Sequence, residues 1–166
     1  MIDQLIKSCS EISSSKEMID KMLEVESIIG NMPDAKFGDD TCPLKHSFAD
    51  GLYIREIFMP KGMVIVSELH KTNYPYFVLV GDLSVITTDG LVRIKAPYCG
   101  ITKAGTKRVL YIHEDTHWIT VHATDETDVE MMRERLTVKS YDELPEHVKK
   151  TLETRDKERE LICHSQ

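Results

Sequence analysis

The chain has 166 residues, of which 41% are hydrophobic and 30% are charged, enough for one ordinary core but short for two independent ones. Acidic residues outnumber basic residues by 28 to 21, and the resulting net charge of −7 argues against general nucleic-acid binding. No apolar run approaches the roughly 18 residues needed to span a bilayer, and the first residues lack the basic and apolar segments of a signal peptide. We therefore expect a cytoplasmic protein with no membrane partner.

Helical patterns begin the chain. Apolar residues recur at three- and four-residue spacing over residues 2–12 and 18–29, which predicts two amphipathic helices. Ser14 and Glu17 have capping-box spacing at the start of the second helix, and Gly30 supplies its stop. We therefore place a helical N-terminal arm and linker at residues 1–41.

The middle of the chain changes to short strand-like runs separated by glycines and turns. The predicted strands are Leu52–Met59, Met63–His70, Tyr76–Val80, Leu83–Thr88, Leu91–Ala96, Thr106–His113 and Thr116–Thr124. Short strands at this spacing are typical of an antiparallel barrel or sandwich, so an all-β domain is expected over residues 42–124. In this prediction His113 and His117 belong to an exposed turn between the last two strands.

Helical patterns return over residues 125–166. Thr127 and Glu130 have capping-box spacing, and Pro145 opens a last helix. Amphipathic segments that flank a small barrel need a partner surface, so we expect a homo-oligomer. The expected form is a homodimer whose interface involves the first thirty residues.

Five residues of the middle segment have the spacing of the first cupin motif, Gly-x5-His-x-His-x3-Glu-x6-Gly: Gly62, Glu68, His70, Tyr74 and Gly81. In the second cupin motif, Gly105 aligns with the second glycine, and Arg108 takes the last ligand position. The chain thus resembles the cupin superfamily, which implies a cupin-like double-stranded β-helix (jelly-roll) barrel with N-terminal and C-terminal helices. Fragments such as His46-Ser-Phe48 and Gly105-Thr-Lys-Arg108 resemble small, mostly uncharacterised cupin-like proteins encoded by bacteriophages.

The resemblance also implies where a metal would bind. Cupin enzymes hold a divalent metal through three histidines and one glutamate, and this chain has Glu68, His70, Tyr74 and Arg108 at those positions. A permanently charged guanidinium repels a divalent cation, so we expect no metal and no other cofactor. The alternatives use Glu68 and His70, which a strand would place on one face, as the start of a metal site or as an acid and base pair.

Arg108 instead favours an anion, because a guanidinium donates hydrogen bonds suited to a carboxylate or a phosphate. Strand alternation places other side chains beside it, and the predicted ligand-binding residues are Arg55, His70, Tyr76, Arg108, Trp118 and His122. Lys107 adds a further cation to this segment. Cations for a phosphate and aromatic rings for a base suit a nucleotide-like ligand. The alternative is that Arg108 pairs with Glu68 inside the barrel, each satisfying the other's buried charge.

We therefore expect a protein that binds a small anionic molecule and has no catalytic residues. The resemblance to bacteriophage proteins leads to a sharper hypothesis, in which the protein sequesters a nucleotide signal of host defence in the host cytoplasm. One alternative is a cupin enzyme, an isomerase, lyase or metal-dependent oxygenase, that uses Glu68 and His70. The other is a structural assembly factor whose barrel is filled by side chains.

Overall fold

The computed structural model describes residues 14–36 and 41–163, so the helix predicted over residues 2–12 lies outside the described part. The helices are α1 (Ser15–Gly30), α2 (Val129–Leu136) and α3 (Glu146–Cys163), with a 3-10 turn at Tyr141–Glu143. The strands are β1 (Leu44–Ala49), β2 (Leu52–Met59), β3 (Val64–Val66), β4 (Leu69–His70), β5 (Tyr74–Thr87), β6 (Gly90–Lys95), β7 (Tyr98–Thr102), β8 (Val109–Ala123) and β9 (Thr137–Val138). None of the helices in these two ranges is long and apolar enough to cross a membrane.

The strands form a mostly antiparallel sheet in the order β1-β2-β8-β5-β6, with β3 paired to β8 and β7 paired to β5. Strands β4 and β9 form a separate pair. The mostly β architecture with flanking helices fits the cupin-like prediction. The strand path runs from β1 to β6 without returning to its start, so closure into a barrel stays a prediction.

Two long strands organise the sheet, and each replaces two that the sequence predicts. Strand β5 runs through Gly81, where the pairing register with β8 shifts. Gly81 has a φ of 119°, and a Cβ there would lie 2.7 Å from the Cα of Thr116, so only glycine allows this close crossing. The prediction of a turn at His113 and His117 is wrong, because both histidines lie within the continuous strand β8.

The sequence analysis missed the strands β1 and β7, which form through tertiary contacts, and misplaced one helix cap. Strands β1 and β7 each pair with a single neighbour, and both are largely exposed, so neither shows the hydrophobic alternation of a half-buried strand. The predicted cap at Thr127 is wrong by one residue: the Asp128 carboxylate accepts from the Met131 N–H at 2.9 Å and begins α2. The cap predicted for α1 is confirmed, since Ser14 Oγ accepts from the Glu17 N–H.

The helix α1 is covered by its own chain. Met18 and Met22 pack with Ile86 and Val109 of the sheet, while Ile19 packs in a separate cluster with residues of α3. The argument that this amphipathic helix needs a partner subunit therefore does not hold. The homodimer stays a prediction.

Candidate functional site

Strand register decides which side chains share the inner face of the sheet. Arg55 of β2, Thr120 of β8 and Tyr76 of β5 lie directly beside one another across three strands. Trp118 and His122 lie two residues to either side of Thr120 and therefore face the same side. Four of the six predicted ligand-binding residues are thus brought onto one face by pairing alone.

Arg108 joins this face from the segment immediately before β8. The residue is only 7% exposed, and its guanidinium donates to Thr102 Oγ1 at 2.6 Å. The guanidinium carbon lies 5.6 Å from the ring centre of Tyr76 and 5.7 Å from that of Trp118. These two rings stack on each other, with centres 4.3 Å apart and planes 9° from parallel. The cation is therefore held beside two aromatic rings, within the distance of a cation–π interaction.

The predicted ion pair between Arg108 and Glu68 is wrong. Glu68 Oε1 accepts from Arg133 Nε of α2 at 2.9 Å, and Glu68 Oε2 accepts from the Thr137 hydroxyl at 2.9 Å. Burial opposes ionisation of Glu68, but these hydrogen bonds hold the pKa of its carboxyl below the usual value. Across residues 14–36 and 41–163, the Arg108 guanidinium pairs with no carboxylate and has the Thr102 hydroxyl as its hydrogen-bond acceptor.

Lys107 does not reach this face either. Its ammonium donates to Glu26 Oε2 of α1 at 2.7 Å and to the Ser67 carbonyl at 2.8 Å. Adjacent residues of an extended chain point to opposite sides, so Lys107 faces the helix when Arg108 faces the sheet interior. Of the three cations that the sequence analysis placed in this segment, Arg55 and Arg108 lie on the inner face.

Tyr74, which the sequence analysis assigned only a lost ligand position, lies between two imidazoles. Its hydroxyl is 3.0 Å from His70 Nε2, and its ring centre is 4.3 Å from that of His122. His122 Nε2 is 3.0 Å from Thr120 Oγ1, and the ring of Tyr53 stacks against His122 at 5.6 Å. His70 and His122 thus belong to one cluster, and strand alternation from Tyr76 and Arg55 would have pointed to both tyrosines.

Both imidazoles are neutral at neutral pH. Burial, reinforced by the positive charges of Arg108 and Arg55, lowers the pKa of His70 well below its usual value. Burial, together with Arg55, lowers the pKa of His122 to about 4. The charge of Arg55 acts on both histidines and that of Arg108 acts on His70, so these four side chains are close enough to interact electrostatically.

The strand β7 contributes two further residues that the sequence analysis missed. Gly100 pairs with Tyr76, and a Cβ at Gly100 would lie 2.7 Å from the Tyr76 hydroxyl oxygen, so the tyrosine ring packs onto bare backbone. Burial and the neighbouring Tyr98 hydroxyl raise the pKa of Tyr76 to about 12, which keeps it a neutral hydrogen-bond donor. No sequence signal marked these residues because β7 itself was not predicted.

The residues at the positions of the cupin metal ligands do not fit a divalent cation. Glu68 is engaged by Arg133, Tyr74 bonds to His70, and Arg108 places a positive charge where the last ligand would be. In the described part of the chain, no three His, Cys, Asp or Glu side chains are grouped to hold a metal. Glu68, the acid of the alternative acid and base pair, lies outside β4 and bonds to Arg133 of α2.

An open depression of about 630 Å³ lies at the end of the sheet where β2 begins and β8 ends. Its lining residues are Gly51, Ala123, Thr124, Asp125, Glu126 and Arg135. None of the six predicted ligand-binding residues lines it.

No protein-family model matches this sequence, and no curated protein matches it. Similar solved structures include a cupin superfamily protein from Desulfitobacterium hafniense, at 11% identity and a TM-score of 0.44, covering 54% of this chain and 84% of that one. The cupin domain of Schizosaccharomyces pombe Cnp3 has 18% identity and a TM-score of 0.45, covering 62% of this chain and 75% of that one.

KdgF from a Halomonas species is also similar, at 13% identity and a TM-score of 0.45, covering 55% of this chain and 87% of that one. At these values the likenesses assign neither a ligand nor an activity. Cupin superfamily proteins are among the structures similar to this chain.

Proposed function

We propose that the protein binds a small anionic molecule on the inner face of its sheet, with Arg108 as the main contact. The observation that carries this proposal is a buried guanidinium that has no carboxylate partner among residues 14–36 and 41–163. A buried charge that is hydrogen-bonded by a single hydroxyl is unfavourable for folding unless another group compensates it. An anionic ligand would supply the missing charge.

The surroundings of Arg108 suit such a ligand. The Tyr76 and Trp118 rings exclude water on one side, which strengthens any charge-assisted hydrogen bond to the guanidinium. Arg55 adds a second positive charge close to this site, since both Arg108 and Arg55 lower the pKa of His70 and Arg55 also lowers that of His122. The protein as a whole carries a net charge of −7, so the attraction for an anion is confined to this face.

A nucleotide is one anion of this kind, and sequestration of a host-defence nucleotide remains the finer form of the proposal. Tyr76 and Trp118 stack on each other, so each ring already has one face covered. A base would then stack on an outer face of this pair rather than between the rings. The same ligand panel tests the nucleotide form and the general form.

The test is a thermal-shift screen followed by calorimetry with carboxylates, sugar phosphates and mono-, di- and cyclic nucleotides. We expect at least one anion to bind, and Arg108→Met to weaken it by about 2–5 kcal/mol, which is roughly 30- to 4000-fold. Arg93→Met, on the outer face of the sheet, is the matched control and should leave the affinity unchanged.

Two results would overturn the proposal. The first is a panel in which no anion stabilises the protein. The second is a bound anion whose affinity is the same in Arg108→Met and in the unaltered protein. In that case Arg108 would have a purely structural role.

A further inference from the structure

Buried polar atoms without a hydrogen-bond partner are concentrated around Tyr74. In the described residues these side-chain atoms are His70 Nδ1, Thr72 Oγ1, His122 Nδ1 and Arg155 Nε. Arg155 belongs to α3 and contacts Thr88 at the β5–β6 turn, remote in sequence from the others. The remaining three belong to the two histidines in contact with Tyr74 and to Thr72, two residues from it. Native interiors leave few such atoms, so two on rings that contact the same tyrosine, with a third two residues away along the chain, indicate a missing partner.

The hydrogen-bonding state of the two histidines restricts that partner. A neutral imidazole carries one donor and one acceptor. His70 uses Nε2 with the Tyr74 hydroxyl, and His122 uses Nε2 with the Thr120 hydroxyl. Each ring therefore keeps one nitrogen, Nδ1, that is buried and either needs a donor or offers one. Thr72 adds a hydroxyl that can do both.

Hydroxyl groups are the ligand groups that match this set. A hydroxyl donates and accepts, so it satisfies an imidazole nitrogen in either tautomer and pairs with the Thr72 hydroxyl. An aliphatic group would leave all three protein atoms unsatisfied. The imidazoles are neutral, so they compensate the desolvation of a second charged group less than a cation would.

The cluster also has the right position relative to the anion contact. Both imidazoles lie against the Tyr74 ring, with ring centres 5.2 Å and 4.3 Å from it. Tyr74 and Tyr76 face the same side of β5, so the hydroxyl-matching atoms continue the inner face that begins at Arg108.

We propose that the ligand is a polyhydroxylated anion, a sugar acid or a sugar phosphate, with its charged end at Arg108 and its hydroxyls at His70, Thr72 and His122. This inference rests on the proposed function, because the anionic end is the one already assigned to Arg108. It adds the chemistry of the rest of the ligand and favours hydroxyls over a flat, hydroxyl-free body.

The experiment compares matched anions by calorimetry at neutral pH. Gluconate is paired with hexanoate, and glucose 6-phosphate with hexyl phosphate, so that each pair differs in hydroxyls and shares its anionic group. We expect the hydroxylated member of at least one pair to bind about tenfold or more tightly. The pair that binds more tightly distinguishes a carboxylate from a phosphate.

Two variants locate that preference. His122→Phe keeps a flat ring, and Thr72→Val keeps the side-chain volume while removing the hydroxyl. Each should reduce the preference for the hydroxylated member about tenfold. Thr151→Val on the exposed side of α3 is the control, and Thr72→Val serves if His122→Phe does not fold.

The outcomes separate the two proposals. If both members of each pair bind equally through Arg108, or if the preference survives in both variants, the polyhydroxylated ligand is wrong and anion binding stands. If none of the four anions binds, and the wider panel also fails, anion binding itself is wrong and this inference falls with it.

Discussion

Two clusters on opposite faces of the sheet use the same kinds of residue with opposite results. On the outer face, Arg93 of β6 donates to both carboxylate oxygens of Asp82 and to His113 Nε2 at 2.6 Å. Ser84 Oγ lies 2.9 Å from the same nitrogen. On the inner face, Arg108 has aromatic rings and one hydroxyl around it, and no carboxylate among the described residues.

Of these two arginines, Arg108 is the candidate for binding a ligand. Arg93 is exposed, and its hydrogen bonds lower the pKa of Asp82. The positive charge of Arg93 therefore already has an anionic partner within the chain. Such an exposed ion pair contributes little to the free energy of unfolding, and its arginine is already paired with a carboxylate. Arg108 is buried and has no carboxylate partner among the described residues. An anionic ligand would neutralise its charge.

The largest expected effect comes from making the inner cluster resemble the outer one. Thr102→Asp places a carboxylate where the hydroxyl now accepts from the Arg108 guanidinium at 2.6 Å. The new anion should compete with any bound one and weaken binding at least about thirtyfold, or about 2 kcal/mol. Calorimetry with the best anion of the panel measures the loss.

The control for this change is Thr102→Val, which removes the hydroxyl without adding charge. It should keep anion binding and lower the free energy of unfolding by about 1–2 kcal/mol, since the guanidinium then has no acceptor. Retained affinity in Thr102→Asp would show that the ligand does not contact Arg108.

A second expected effect is loss of stability in acid. Burial lowers the pKa of His122 from 6.5 to about 4 and lowers that of His70 well below 6.5. Between these values the unfolded chain binds more protons than the folded one, so stability decreases as pH falls. Each histidine should contribute a slope approaching about 1.4 kcal/mol per pH unit. Denaturant unfolding at a series of pH values below 6.5 measures the combined slope.

Replacement of one histidine isolates its share of this slope. His122→Phe removes a titrating group, so its stability should fall less steeply with acid than that of the unaltered protein. Thr151→Val, at an exposed position in α3, is the control and should leave the slope unchanged. Identical slopes in all three proteins would mean that His122 is not buried as a neutral ring.

The smallest effect is expected from the outer cluster. Arg93→Ala removes an exposed, fully paired cation, so the melting temperature should change by less than about 3 °C. The change should shrink further in high salt, because exposed charges are screened. Calorimetric scans at low and high salt measure this, and a large loss of stability would show that the outer cluster is not equivalent to an ordinary surface ion pair.

Part of the site could be predicted because strand alternation is local. Arg55, Tyr76, Trp118 and His122 were placed on one face from their spacing along individual strands, and the register of β2, β8 and β5 brings those faces together. Thr102 could not be placed in the same way, because its strand is exposed and shows no alternation. The role of these residues in binding stays a prediction.

The sequence alone determined the elements that depend on local spacing: the Ser14 cap of α1, the helix after Pro145 and most of the strands of the middle segment. Tertiary structure decided the partners of the charges. Glu68 and Arg133 are 65 residues apart, and α2 brings the arginine to the carboxylate, which leaves Arg108 without it. A charge pairs with whatever the fold brings within hydrogen-bond distance, and motif spacing along one chain segment carries no information about that distance.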